Sequence, residues 1–158
     1  MSEMPAAGDR APDFAAPDQT GRTVRLADFA GQTLALYIYP KDETPGCTKQ
    51  ACNLRDHTAS LEDAGVAVVG VSPDPVESHE QFAAHHDLPF PLLADSGHEI
   101  LEAYGAWGEK ALYGRKSVGV KRTTFLIGPD GVILHVFKRP KTDRHAQEIL
   151  DRLEKLAV

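Results

Sequence analysis

Two stretches of the chain, Thr33–Tyr39 (TLALYIY) and Val66–Ser72 (VAVVGVS), are apolar, branched or aromatic at almost every position. A strand that is apolar throughout, rather than at alternate residues, must be covered on both faces. Between them lies a helical pattern. Thr44 suits the N-cap, Pro45 falls on the first helical position where its missing N–H costs nothing, and Gly65 provides a stop. Ala51, Leu54, Thr58 and Leu61 recur at helical spacing within that window. Strand, helix and strand in succession make a crossover, so the chain is constrained to an α/β sheet with parallel members and helices on both faces.

The remaining elements fit that frame. Asp74-Pro75 opens a second helix that runs to about Asp87 and is stopped by Pro89, and Pro91–Ala94 is a short strand. Ser96 caps a short helix ending near Gly105. Thr123–Ile127 and Val132–Phe137 flank Gly128-Pro129-Asp130-Gly131, a hairpin signal, and a last helix spans Thr142 to about Leu156. A small N-terminal hairpin is expected within residues 8–26, turning at Asp18–Gly21. With 158 residues the expectation is one domain spanning 1–158, large enough to fold without a metal or disulfide staple. The longest apolar run, Leu34–Tyr39, has six residues, against about 20 for a membrane-spanning helix. The start, MSEMPAAGDRAPDF, lacks a basic segment followed by an apolar one, so no signal peptide and a cytosolic setting are expected. A net charge of −6 argues against a nucleic-acid or anionic-membrane binder.

Both cysteines, Cys47 and Cys52, fall in one short segment, Tyr39-Pro40-Lys41-Asp42-Glu43-Thr44-Pro45-Gly46-Cys47-Thr48-Lys49-Gln50-Ala51-Cys52. In a reducing compartment such a pair reads as redox chemistry or metal binding rather than a structural bridge. The segment joins the end of a buried strand to a helix, where sites gather in open α/β sheets. With Thr44 as N-cap, Cys47 is the third helical residue. There the unpaired N–H groups and the helix dipole favour thiolate over thiol. In an ideal helix, residues five apart have Cα atoms roughly 8.6 Å apart. A disulfide needs about 4.4–6.8 Å. A bond between Cys47 and Cys52 therefore requires the first turns to unwind, which makes the segment two-state: helical when reduced, locally unfolded when oxidised. A dithiol exchanger of the CxxC kind is disfavoured by this spacing. A metal site is disfavoured by the absence of a second Cys pair, of Cys-x-x-Cys and of His-x-x-x-His. The seven histidines look scattered, as solvated or capping residues.

Pro40-x-x-x-Thr44-x-x-Cys47 resembles the active-site signature of the peroxiredoxin family, and YPKDETPGCTKQAC resembles its peroxiredoxin Q, or bacterioferritin comigratory, type. Trp107-Gly108-Glu109-Lys110, Tyr113-Gly114 and Arg122-Thr123-Thr124-Phe125-Leu126-Ile127 extend the likeness over nearly the whole chain. The resemblance implies a thioredoxin-like fold, an α/β structure with a central mixed sheet flanked by helices and a short N-terminal β-hairpin extension. It implies a thiol peroxidase acting on hydrogen peroxide and organic hydroperoxides. Cys47 would be the peroxidatic cysteine and Cys52 the resolving one. The Thr44 hydroxyl would accept from the thiol region and donate to a peroxide oxygen, Arg122 would supply a fixed positive charge with several donors, and Pro40 would shield the site from water. Without the resemblance, Arg122 reads as a surface residue beside Lys121. The reductant implied is thioredoxin or a similar dithiol, the molecule a monomer, and no metal, flavin or nucleotide cofactor is implied. A peroxide sensor or a general dithiol oxidoreductase would use the same two cysteines. Gln50 stands where many relatives have Glu, and Thr123 where Ser is common.

Overall fold

The computed structural model describes residues 4–112 and 115–156. In chain order its elements are β1 (Ala15–Pro17), β2 (Thr23–Arg25), a 3-10 turn (Leu26–Phe29), β3 (Thr33–Ile38), α1 (Pro45–Asp56), α2 (Thr58–Asp63), β4 (Val66–Ser72), α3 (Val76–His86) and β5 (Leu92–Ala94). They continue as α4 (Glu99–Ala103), β6 (Trp107–Leu112), β7 (Arg115–Val120), β8 (Thr123–Ile127), β9 (Ile133–Phe137) and α5 (His145–Leu156). Five strands form a mixed sheet in the order β5-β4-β3-β8-β9. β3 runs parallel to β4 and antiparallel to β8, and the hairpin partner β9 closes the edge.

The unbroken apolar reading of β3 has a direct structural cause. Leu34, Leu36 and Ile38 face one side, with Phe14, Val24, Leu101 and Tyr104. Ala35, Tyr37 and Tyr39 face the other, with Ala51, Leu54, Leu61, Phe82 and Ile149 from α1, α2, α3 and α5. Each fully buried Leu, Ile or Phe side chain contributes about 1.5–3 kcal/mol relative to an exposed one, so both faces are strongly specified. Gly70 on β4 permits the close packing beneath Tyr37: a Cβ there would lie 2.8 Å from the Tyr37 ring.

Several expectations need correction. The helix expected from Thr44 to Gly65 is interrupted at His57, whose φ of −111° and ψ of 18° separate α1 from α2. There the Thr58 hydroxyl donates to the Arg55 carbonyl (2.7 Å) and His57 Nδ1 bonds the Asn53 carbonyl (2.8 Å), so side chains take up the carbonyls of the last turn. The short helix starts at Glu99 with His98, not Ser96, at its N-cap position, and the Leu101 N–H in its first turn donates to Asp95 Oδ2 at 2.8 Å. The last helix begins at His145 rather than Thr142. The β6–β7 hairpin, paired from Trp107↔Val120 to Leu112↔Arg115, has no counterpart among the sequence expectations, because its mixture of Gly, Lys and Ser carries no apolar period. Among the described residues, no helix is long and apolar enough to cross a membrane.

Candidate active site

The carboxyl end of β3 leads straight into the cysteine segment. Tyr39 extends the parallel pairing through its N–H to the Val71 carbonyl (3.0 Å). The chain then turns, with Glu43 at φ +62°, and Thr44 (φ −80°, ψ 153°) enters α1 with Pro45 at its start. Cys47 is the third residue of that helix, as expected, and its side chain is buried in the Tyr37 face of the core. Ile38 pairs with Thr123, so Arg122 emerges level with Tyr39, beside the same chain exit. Its Nη2 donates to Cys47 Sγ at 3.1 Å, and its Nη1 donates to Gln50 Oε1 at 2.6 Å. The planar guanidinium thus grips both residues at once, a geometry that a lysine could not supply. Gly46 makes the approach possible, because a Cβ at that position would sit 3.3 Å from Arg122 Nη2.

A permanent positive charge is thus hydrogen-bonded to a sulfur carried on the first turn of a helix, the end where unpaired N–H groups favour an anion. Pro40 is half-buried and, with Arg122, Val120 and Pro140, lines an open groove of about 590 Å³ whose other charged members are Lys121, Lys138, Arg139 and Glu109. Thr44 occupies the N-cap position, but its hydroxyl does not cap. It donates to the Lys41 carbonyl at 2.8 Å, closing the turn before the helix and leaving its lone pairs free to accept. Cys52 is half-buried on the same continuous helix, and both cysteines are free thiols. Five site residues named from the sequence therefore lie in one neighbourhood, with Cys47 and Arg122 in contact. Tyr113 and Gly114 lie outside the described residues.

Further polar groups lie close to the site, and of these only Gln50 stands out in the sequence. Tyr37 Oη and Gln50 Nε2 are buried with no hydrogen-bond partner among the described residues. Burial, followed by the negative charges of Asp42 and Cys47, pushes the Tyr37 hydroxyl well above its usual range, so it stays a neutral phenol. The histidines are not simply solvated or capping. His79 and His145 are fully buried. His145 bonds the Thr124 hydroxyl (2.8 Å) and Glu148 (2.9 Å). His79 shows a signal that could have been read: it precedes the core residue Phe82 by three on the apolar face of α3. Among the described residues, two groups place metal-ligating atoms within 4.8 Å of one another, Glu43/His85/His86 at the surface and Asp42/Asp74/His79 in the interior. In both, hydrogen bonds among protein groups already engage the ligating atoms.

A model of the AhpC/TSA family matches residues 7–136. Peroxiredoxin Bcp of Escherichia coli strain K12 is 48% identical over 151 residues, covering 96% of this chain and 97% of that protein. The chain belongs to the AhpC/TSA family of peroxiredoxins. Peroxiredoxin Bcp of Bacillus subtilis strain 168 is 39% identical over 150 residues, covering 95% and 96% of the two chains. Among solved structures, the bacterioferritin comigratory protein of Xanthomonas campestris, studied for its alkyl peroxide reduction activity, superposes with a TM-score of 0.88 at 32% identity. It covers 96% of this chain and 99% of its own. A Cys-to-Ser mutant of Xylella fastidiosa PrxQ gives a TM-score of 0.90 at 32% identity over the full length of both chains. The peroxiredoxin fold is the thioredoxin-like one, and the mixed sheet with flanking helices and N-terminal hairpin matches it.

Proposed function

We propose that this peroxiredoxin reduces hydrogen peroxide and organic hydroperoxides through Cys47, with Cys52 as the resolving thiol and thioredoxin or a similar dithiol as reductant. The observation that carries the assignment is the hydrogen bond from Arg122 to Cys47 Sγ at the first turn of α1. The Cys47 thiolate attacks the terminal peroxide oxygen in line with the O–O bond. The S–O bond forms as the O–O bond breaks, and the departing alkoxide or hydroxide takes a proton to become alcohol or water. Arg122 and the N–H groups of Gly46 and Cys47 face the negative charge as it moves from sulfur to oxygen. The Thr44 oxygen is placed to accept a hydrogen bond from the incoming hydroperoxide, and Pro40 covers the entry side.

The resulting sulfenic acid condenses with the Cys52 thiol, forming the disulfide and releasing water. α1 holds both cysteines, so this step requires its first turns to unwind. The cycle needs no second chain, in keeping with a monomer, and residues 1–158 act as one catalytic unit in a reducing, cytosolic setting. An external dithiol then reduces the exposed disulfide. Peroxide consumption with thioredoxin and its reductase tests the assignment. Cys47→Ser should abolish it, while Cys52→Ser should permit a single oxidation of Cys47 and then stall. Sustained turnover by Cys47→Ser contradicts the proposal.

A further inference from the structure

Asp42 and His79 lie outside the chemistry described above, yet they sit at the centre of a buried polar knot that also engages Tyr39, Ser78 and Asp74. We propose that this knot is a latch: it holds the loop of residues 40–44 against α3 and sets how readily the first turns of α1 open for disulfide formation. The inference rests on the role proposed for Cys47 and Cys52.

Asp42 lies five residues before Cys47 and is 5% exposed, and His79 is 0% exposed. Asp42 Oδ1 accepts from the Tyr39 hydroxyl at 2.6 Å, and Oδ2 accepts from the Ser78 hydroxyl at 2.7 Å. His79 Nδ1 lies 2.7 Å from the same Oδ2. Its Nε2 faces the Leu93 carbonyl at 2.9 Å, which can only accept, so Nε2 carries a hydrogen and one further proton bridges Nδ1 and Oδ2. The Asp42 N–H donates to Asp74 Oδ2 (2.8 Å), which also accepts from the Ser72 hydroxyl (2.7 Å). One residue of the loop is thereby tied to β3, the end of β4, and α3. If the loop lifts away, the buried Tyr39 and His79 and the half-buried Ser78 lose a shared acceptor. Stranding buried polar groups in this way is costly, and the cost opposes opening. Asp42 and His79 are thus positioning residues for the resolution step.

The test reads opening directly, without peroxide. In a Cys52→Ser background, Cys47 is the sole thiol, and its labelling by 5,5′-dithiobis(2-nitrobenzoate) reports exposure of the buried sulfur. Asp42→Ala should accelerate labelling by about tenfold, the loss of one hydrogen bond to a charged group, and Ser78→Ala by about threefold. With Cys52 restored, disulfide formation after a peroxide pulse should accelerate by similar factors, while oxidation of Cys47 should not. Ser78→Ala replaces a half-buried helix residue with the best helix former, so it keeps the test decisive should Asp42→Ala fold poorly. Unchanged or slower labelling and resolution in folded variants would overturn the latch, as would a lowered melting temperature without faster labelling. Should the wild-type protein ignore peroxide, the proposed function fails, yet labelling still reads the latch.

Discussion

Arg122 is the residue whose removal has the most readily calculated effect. Its Nη2 lies 3.1 Å from Cys47 Sγ and its Nη1 lies 2.6 Å from Gln50 Oε1. A hydrogen bond to a charged group contributes about 1.5–3 kcal/mol. If that amount acts on the transition state, where charge leaves sulfur for oxygen, Arg122→Ala should slow Cys47 oxidation roughly 10- to 150-fold, since each 1.36 kcal/mol is tenfold. Arg122→Lys keeps the charge but cannot hold Sγ and Oε1 together, so its rate should fall between the two. Gln50 gives a second readout. Its Nε2 has no partner among the described residues, and loss of the guanidinium orphans Oε1 as well. An unsatisfied buried group costs about 1–3 kcal/mol, so Arg122→Ala should also melt several degrees lower. The second-order rate constant, measured by quenched-flow oxidation with varied hydrogen peroxide, is the assay. A folded Arg122→Ala protein that reacts within about twofold of the wild-type rate would refute the electrostatic reasoning.

Gly46→Ala should separate activity from stability. Alanine improves helix propensity by up to about 1 kcal/mol, but its Cβ 3.3 Å from Arg122 Nη2 displaces the guanidinium, so peroxide reduction should drop several-fold with the melting temperature held or raised. His145 predicts an acid limb in stability. Burial holds its pKa below the ordinary value of 6.5, opposed by Glu148, so the folded state favours the neutral ring. The unfolded chain binds the proton more tightly, so this contribution is intact above about pH 6.5 and is lost as pH falls through the lowered folded value. Denaturant titrations across pH 5–8 should show that decline in the wild type and a flatter profile in His145→Gln.

The strands β3 and β4 were readable because burial on both faces leaves an unmistakable composition, and the start of α1 because Thr44-Pro45 is a local signal. The position of Cys47 followed from that start alone. Arg122 was different. Nothing about an arginine beside Lys121 marks it, and only the pairing of β3 with β8 brings it to the sulfur; the family resemblance substituted for that long-range information. Thr44 stands at the N-cap position as its sequence context implies, but its hydroxyl bonds the Lys41 carbonyl rather than a helix N–H, a choice that residue type alone does not encode. The Asp42–His79 knot leaves no mark in the sequence, because its members are distant along the chain and each, taken singly, looks like a surface residue. The break at His57 depends on which carbonyls two side chains reach, a detail that helical spacing does not encode.

The central claim is that the sulfur at position 47 takes an oxygen atom from peroxide and passes the oxidation to position 52. Intact-mass and peptide analysis of the reduced protein after one equivalent of hydrogen peroxide tests it most directly. The wild type should become lighter by two hydrogens, with Cys47 and Cys52 in one cross-linked peptide, and Cys52→Ser should become heavier by one oxygen on Cys47. An unaltered Cys47, or oxygen found on Cys52 instead, would contradict the account.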